Sequence, residues 1–242
     1  MDCLVFTARG KYAAFRKPES TTSALTFSCI HPVAVRGLVG AVLGLDNGAF
    51  GMNNTRFAKP RNELYETTQD MKVGIRVLKP VLKDMQNFSL ITMKSEPLFN
   101  FQVPTQFLRD PEYELFIAWD SEKLDKLETA LKKHEYGFVP YLGVSEFGAK
   151  LSFVKRCDAK LKSEATSVDT VVPVRCIKST KFSEHSLNVE TVNLFPTKNN
   201  ELREYILRET VKFAFDGEKC CAIEGEFDSE VYDADGCNIY FF

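Results

Sequence analysis

The chain has 242 residues, enough for one large domain or two small ones, and its 44% hydrophobic and 26% charged content is that of an ordinary globular protein with a sizeable core. The formal net charge of −2 would by itself speak against a polyanionic partner, yet residues 9–61 carry a net +6 and residues 216–242 a net −7. A basic end and an acidic end suit one face on a polyanion and another turned elsewhere.

Residues 2–7 read as a first strand. The loop that follows is basic and rich in hydroxyls, with Arg9, Lys11, Arg16, Lys17, Ser20, Thr21, Thr22 and Ser23. A helix over about 32–45 then opens on Pro32, whose missing N–H costs nothing at the first helical position. Val35, Leu38, Val39, Val42 and Leu43 share one face of it. Gly37, Gly40 and Gly44 lower helix propensity but would let another backbone approach. Residues 46–71 have loop composition, and Arg56, Phe57, Lys59 and Arg61 interleave charge with an aromatic ring. That pattern suits phosphate and base together, or an ordinary loop.

Residues 72–79 form a clear strand. Val73, Ile75 and Val77 face one way; Lys72, Gly74, Arg76 and Leu78 face the other, a cationic outer face of the kind an RNA-binding sheet needs. A second strand over Phe88–Lys94 and the run after it, bounded by Pro80 and Pro104, predict an extended hairpin inserted between core elements. Residues 113–119 alternate as a further strand. Asp120 and Ser121 can cap a second helix running to about His134, with Leu124, Leu127 and Leu131 as its buried stripe and Lys132, Lys133 and His134 complementing its dipole. Residues 149–155 make another strand. The order strand, helix, strand, strand, helix, strand predicts an α+β, ferredoxin-like or RRM-like domain over 1–158, with a thumb hairpin over about 79–108.

Residues 158–170 are polar and mark a boundary. A β-rich subdomain follows over 159–242, with strands at 171–178, 189–195, 210–215, 220–227 and 237–242 and tight turns at Asp216-Gly217 and Asp235-Gly236. Seven cysteines in irregular spacing without C-x-x-C favour reduced thiols and argue against a zinc site, and no cofactor or metal is expected. No signal peptide is expected at the start, and the apolar run at 32–45 is too short to cross a bilayer. A cytoplasmic protein without a membrane partner is the reading.

Several segments resemble a known family: G-K-Y-A-A-F-R-K-P-E-S-T-T-S-A-L-T-F, P-V-A-V-R-G-L-V-G-A-V-L-G-L, K-V-G-I-R-V-L-K-P, M-Q-N-F-S-L-I-T-M-K, P-T-Q-F-L-R-D-P-E-Y-E-L-F-I-A and Y-L-G-V-S-E-F-G-A-K. Their colinear order over most of residues 9–150 is similar to the fifth family of CRISPR-associated proteins, RAMP-superfamily subunits of type I Cascade complexes, and most similar to the subtype I-B branch. The resemblance implies an RRM-like core with a protruding β-hairpin thumb and binding of the crRNA five-prime handle. It also implies contacts with the Cascade backbone and large subunits, and leaves contact with target DNA open. By that analogy Lys11, Arg16, Lys17, Thr21, Thr22 and Arg36 bind the handle, and the hairpin around Lys83, Asn87 and Lys94 is the thumb. Tyr12 and Phe15 are candidate stacking rings, and Arg76 belongs to the same RNA-binding set through the strand reading.

One branch of that family cleaves precursor crRNA without metal through Tyr, Lys and His. The candidates here are His31, His134 and His185, with Tyr12 or Tyr65. His31 precedes the buried helix, where capping or packing accounts for it, and the helix dipole accounts for Lys133-His134. A non-catalytic subunit is therefore expected, with a metal-independent endoribonuclease as the alternative. A free-standing RRM-like RNA-binding module is a third reading from pattern alone, and the acidic β-rich end argues for a partner surface instead.

Overall fold

A computed structural model describes residues 1–18, 20, 23–46, 63–91, 100–181, 186–193, 208–216 and 219–242. The first part of the chain contains β1 (Asp2–Arg9), β2 (Tyr12–Ala13), α1 (Pro32–Leu43), α2 (Glu63–Thr68), β3 (Lys72–Val77), β4 (Lys83–Ile91), β5 (Asn100–Arg109), β6 (Glu112–Ala118), α3 (Ser121–Lys133) and β7 (Lys150–Asp158). Short strands follow: β8 (Lys160–Lys162), β9 (Ser167–Val168), β10 (Val172–Pro173) and β11 (Ile177–Thr180). The longer pair β12 (Ser186–Asn193) and β13 (Arg208–Asp216) comes next, then β14 (Lys219–Cys221), β15 (Ile223–Phe227), β16 (Val231–Ala234) and β17 (Cys237–Ile239). The molecule is a mixed α+β protein, mostly strands, with several antiparallel sheets.

The main sheet has the order β3-β6-β1-β7 with every neighbouring pair antiparallel. One face, with Leu4, Phe6, Val73, Ile75, Leu115 and Ile117, packs on α1 and α3. The helix stripes read from the sequence supply the other side: Val35, Leu38, Val39 and Val42 from α1, and Leu124, Leu127 and Leu131 from α3. Local caps set both helices. His31 accepts from Ala34 N at the start of α1 and Gly44 closes it at φ 73°. The Asp120 carboxylate accepts from Glu122 N and Lys123 N, and His134 closes α3 at φ 55°.

The three glycines of α1 differ. A Cβ on Gly40 would meet Leu64 Cδ1 at 2.3 Å, and Gly44 lies under Gly137. Gly37 meets nothing within 4 Å, so the expected close approach does not occur there.

The other face of the sheet differs from the expectation. Cys3, Val5, Phe116 and Ala118 pack against Ala234, Ile239 and Phe241. A Cβ on Gly74 would lie 2.6 Å from Ile239 Cγ2. Val73 and Phe242 exchange backbone hydrogen bonds, and Val171 N donates to Ile75 O, along the free edge of β3. The outer face read as cationic and open is covered by the β16–β17 hairpin, whose two-residue Asp235-Gly236 turn has the positive φ values that the sequence signal predicts. Residues 160–162, expected as boundary, form β8 and pair with β16. Gly217 of the other expected turn lies outside the described residues.

The strands expected at 171–178 and 220–227 are each interrupted. A short 3-10 turn at Val174–Cys176 separates β10 from β11, and Ala222 separates β14 from β15. Strand β12 is the outer strand of its sheet, ordered β10-β13-β12. Among the described residues no helix is long and apolar enough to cross a membrane.

Candidate nucleic-acid interface

The inserted hairpin is β4–β5, paired from Lys83↔Leu108 to Ile91↔Asn100. It falls within the expected 79–108 span to about a residue, but β4 starts at Lys83, before the expected Phe88, and Pro104 sits inside β5 rather than bounding it. The Pro104 carbonyl accepts from Ala24 N, so the proline nitrogen also faces that edge and removes no bond from the β4–β5 ladder. The base of the hairpin is anchored. Tyr12 and Ala13 pair with Arg109 and Leu108, Ala24 brackets Thr105, and Phe107 and Leu108 are buried. Along its strands Met85, Phe88 and Phe101 are exposed large apolar side chains. Phe88 and Phe101 lie on the same face of the ladder as Phe107, whose ring packs on Tyr12 at 5.2 Å. Phe147 completes that ring cluster, 5.6 Å from Tyr12.

The expected cations are divided among three places. Lys11 is exposed and pairs with Asp110 at 3.0 Å, beside the β2–β5 contact. Arg16 is exposed and its backbone bridges to Thr26. Lys17 and Lys83 converge on Glu190 of β12, with Nζ···O distances of 2.5 and 3.9 Å. Ser28 N and Ser28 Oγ donate to the same carboxylate at 3.1 and 2.8 Å. Burial raises the Glu190 carboxyl, but hydrogen bonds from Lys17 and Ser28 outweigh it and hold the group below the usual carboxylate range. Burial draws Lys83 below the usual lysine range, against the pull of Glu190. Lys17 Nζ also stands 5.5 Å from the Phe27 ring centroid. Asn87 faces Pro104 on the exposed part of the hairpin.

Two expected residues lie elsewhere. Arg36 is only 1% exposed; its guanidinium donates to Thr68 O at 3.3 Å and Met71 O at 2.8 Å. Burial lowers its pKa to about 10, so it stays charged at neutral pH. It is a structural strut between α1 and the α2–β3 turn. Arg76 sits on the outer face of β3, where its Nη1 donates to Glu114 at 3.4 Å and the β16–β17 turn residues Asp235 and Gly236 wall in the same pocket. Phe15 is core, packed edge-on against His31 and Tyr113. Thr21, Thr22, Lys94 and the run Arg56, Phe57, Lys59 and Arg61 lie outside the described residues.

The histidines considered for acid–base work are placed as follows. His31 is buried against Phe15 and Phe27, and burial lowers its pKa to about 4, so it is a neutral N-cap. His134 Nδ1 lies 3.1 Å from the Tyr136 hydroxyl at the end of α3. His185 lies outside the described residues. Sequence reasoning missed Glu190 and Ser28, which organise two of the expected cations. Glu190 is 173 residues from Lys17 and stands in an unremarkable strand, so no local signal marks it.

The family model for the CRISPR-associated protein Cas_Cas5 matches residues 3–179. The chain belongs to this family. No curated protein matches it in sequence. A chain of a CRISPR RNA-guided surveillance complex superposes with a TM-score of 0.57 at 12% identity, covering 93% of this chain and 91% of that one. A CRISPR protein from Archaeoglobus fulgidus gives a TM-score of 0.53 at 12% identity, covering 99% and 98%. Family membership thus rests on sequence, and the two structures show that the fold extends through the C-terminal third, where the family model ends.

Proposed function

We propose that the chain is a non-catalytic subunit of a type I Cascade complex, of subtype I-B, that binds and caps the five-prime handle of crRNA. In this reading the β3-β6-β1-β7 sheet with α1 and α3 is the ferredoxin-like RAMP core, and β4–β5 is its thumb. The observation that carries the reading is the anchored hairpin. Its strands expose Met85, Phe88 and Phe101, while Lys11 and Arg109 stand at its base, paired with Asp110 and Asp84, Lys83 and Lys17 share Glu190, and Arg16 is exposed on the strand-like segment that bridges to Thr26. Single-stranded RNA is held by such a combination of flat apolar surface and cations. The covered outer face of the sheet favours RNA contact at the hairpin over the open-sheet mode of a free-standing RRM-like module. The backbone and large subunits are the partners proposed for the remaining surface.

Of the histidines considered for the endoribonuclease reading, His31 is committed to capping α1. The test is affinity purification of the tagged chain from cells carrying the whole operon, with sequencing of both ends of copurifying RNA. The expected result is one shared repeat-derived five-prime end together with other complex subunits. Mixed RNA without protein partners would overturn the proposal. The double substitution Arg16→Glu and Lys11→Glu should remove that RNA while leaving the chain folded.

A further inference from the structure

The group around Glu190 is built from three distant parts of the chain. Lys17 and Ser28 both lie in the β2–α1 connection, Lys83 opens β4, and Glu190 lies in β12. The Glu190 side chain is only 10% exposed, and the two lysine side chains are each 27% exposed. Its Oε1 takes the Lys17 ammonium; its Oε2 takes the Ser28 amide, the Ser28 hydroxyl and the Lys83 ammonium. A phosphodiester offers the same pattern, one negative charge spread over two free oxygens. Ammonium, hydroxyl and backbone N–H donors are the groups that hold RNA and DNA phosphates.

We propose that Lys17, Ser28 and Lys83 form a phosphate site for single-stranded RNA, which the Glu190 carboxylate fills in the free chain and vacates when RNA binds. The proposal rests on the RNA-binding reading and adds to it an internal competitor. In the free chain the carboxylate spares two half-enclosed cations from facing each other alone. Strand β12 is an edge strand, paired to β13 on one side only among the described residues. Rotation of one side chain therefore opens the cradle without breaking the ladder. Competition of this kind weakens binding of stray anions and reserves the site for RNA held in register by the hairpin.

The test compares wild type with Glu190→Gln, which keeps the side-chain shape and an acceptor for Ser28. Affinity for a single-stranded RNA oligonucleotide should rise about tenfold, the effect of removing about 1.4 kcal/mol of like-charge opposition. The slope of log affinity against log salt should steepen by about 0.7, one additional phosphate contact. Inorganic phosphate should raise the melting temperature of the variant more than that of wild type. Adding Lys17→Ala should cancel both gains, and Glu190→Asp should give a smaller gain if the Gln variant folds poorly. Wild type that binds RNA with no gain in either variant would overturn the competitor proposal and leave the RNA reading standing. Absence of RNA binding in every protein, with phosphate stabilising Glu190→Gln alone, would overturn RNA as the occupant.

Discussion

Gly137 crosses Gly44 so closely that position 137 has no room for a side chain. A Cβ on Gly137 would lie 2.2 Å from Gly44 Cα and 2.6 Å from Gly44 N, and both of these are backbone atoms that cannot rotate away. Gly137→Ala must therefore push the segment after α3 off the end of α1. Two hydrogen bonds hold that contact, Gly137 N to Val42 O at 3.1 Å and Phe138 N to Ala41 O at 2.8 Å. At about 1 kcal/mol each, with about 1–3 kcal/mol for the overpacking, the loss is about 3–5 kcal/mol. The lower entropy of unfolded alanine returns about 0.4–1 kcal/mol, leaving a net loss of about 2–4.5 kcal/mol. Guanidinium unfolding followed through the single Trp119 reads this directly. The internal comparison is Gly37→Ala, where nothing lies within 4 Å and helix propensity predicts a gain of about 0.5–1 kcal/mol. Equal effects at the two positions, or Gly137→Ala within about 0.5 kcal/mol of wild type, would refute the packing argument.

Three further outcomes are expected. Arg36→Met should cost about 2–4 kcal/mol by leaving the Thr68 and Met71 carbonyls unpaired, without changing RNA affinity of the folded chain; intact stability with lost RNA binding would place Arg36 in the interface instead. His31 has its folded pKa lowered to about 4 by burial, so its contribution is complete above its unfolded value near 6.5 and is lost as pH falls towards 4, by up to about 3 kcal/mol. His31→Asn keeps a capping acceptor and should flatten that loss in urea unfolding at pH 7 and pH 4.5; identical pH slopes would contradict it. Phe88→Ser with Phe101→Ser, both at exposed positions, should leave stability within about 0.5 kcal/mol and weaken single-stranded RNA binding about tenfold or more in a fluorescence anisotropy titration; unchanged affinity would remove this face of the hairpin from the site.

What was legible in the sequence was local. Pro32, Asp120 and the apolar stripes place α1 and α3 because caps and helical periodicity act within a few residues. Alternation places β3 and β6 for the same reason. The β-α-β-β-α-β order follows from these, and colinear segments suffice for the family. What failed depended on distant residues. Gly74 and Arg76 look solvent-facing until Ile239, more than 160 residues later, is seen to pack on Gly74. Arg36 looks like a basic surface residue until the carbonyls of Thr68 and Met71 take its donors. Pro104 looks like a strand end because the edge its ring nitrogen faces is lined by Ala24, eighty residues earlier, and the β4–β5 ladder is spared. Glu190 gives no local sign of its role, since its partners Lys17, Ser28 and Lys83 become neighbours only through the fold.

The most direct test of the account is ultraviolet crosslinking of the assembled complex, with mass spectrometry of the RNA-bearing peptides and mapping of the joined nucleotides. The account predicts crosslinks from residues 11–17 and from the β4–β5 hairpin to the repeat-derived five-prime segment of the RNA. Crosslinks confined to the outer face of β3 or to α3, with none on the hairpin, would contradict it.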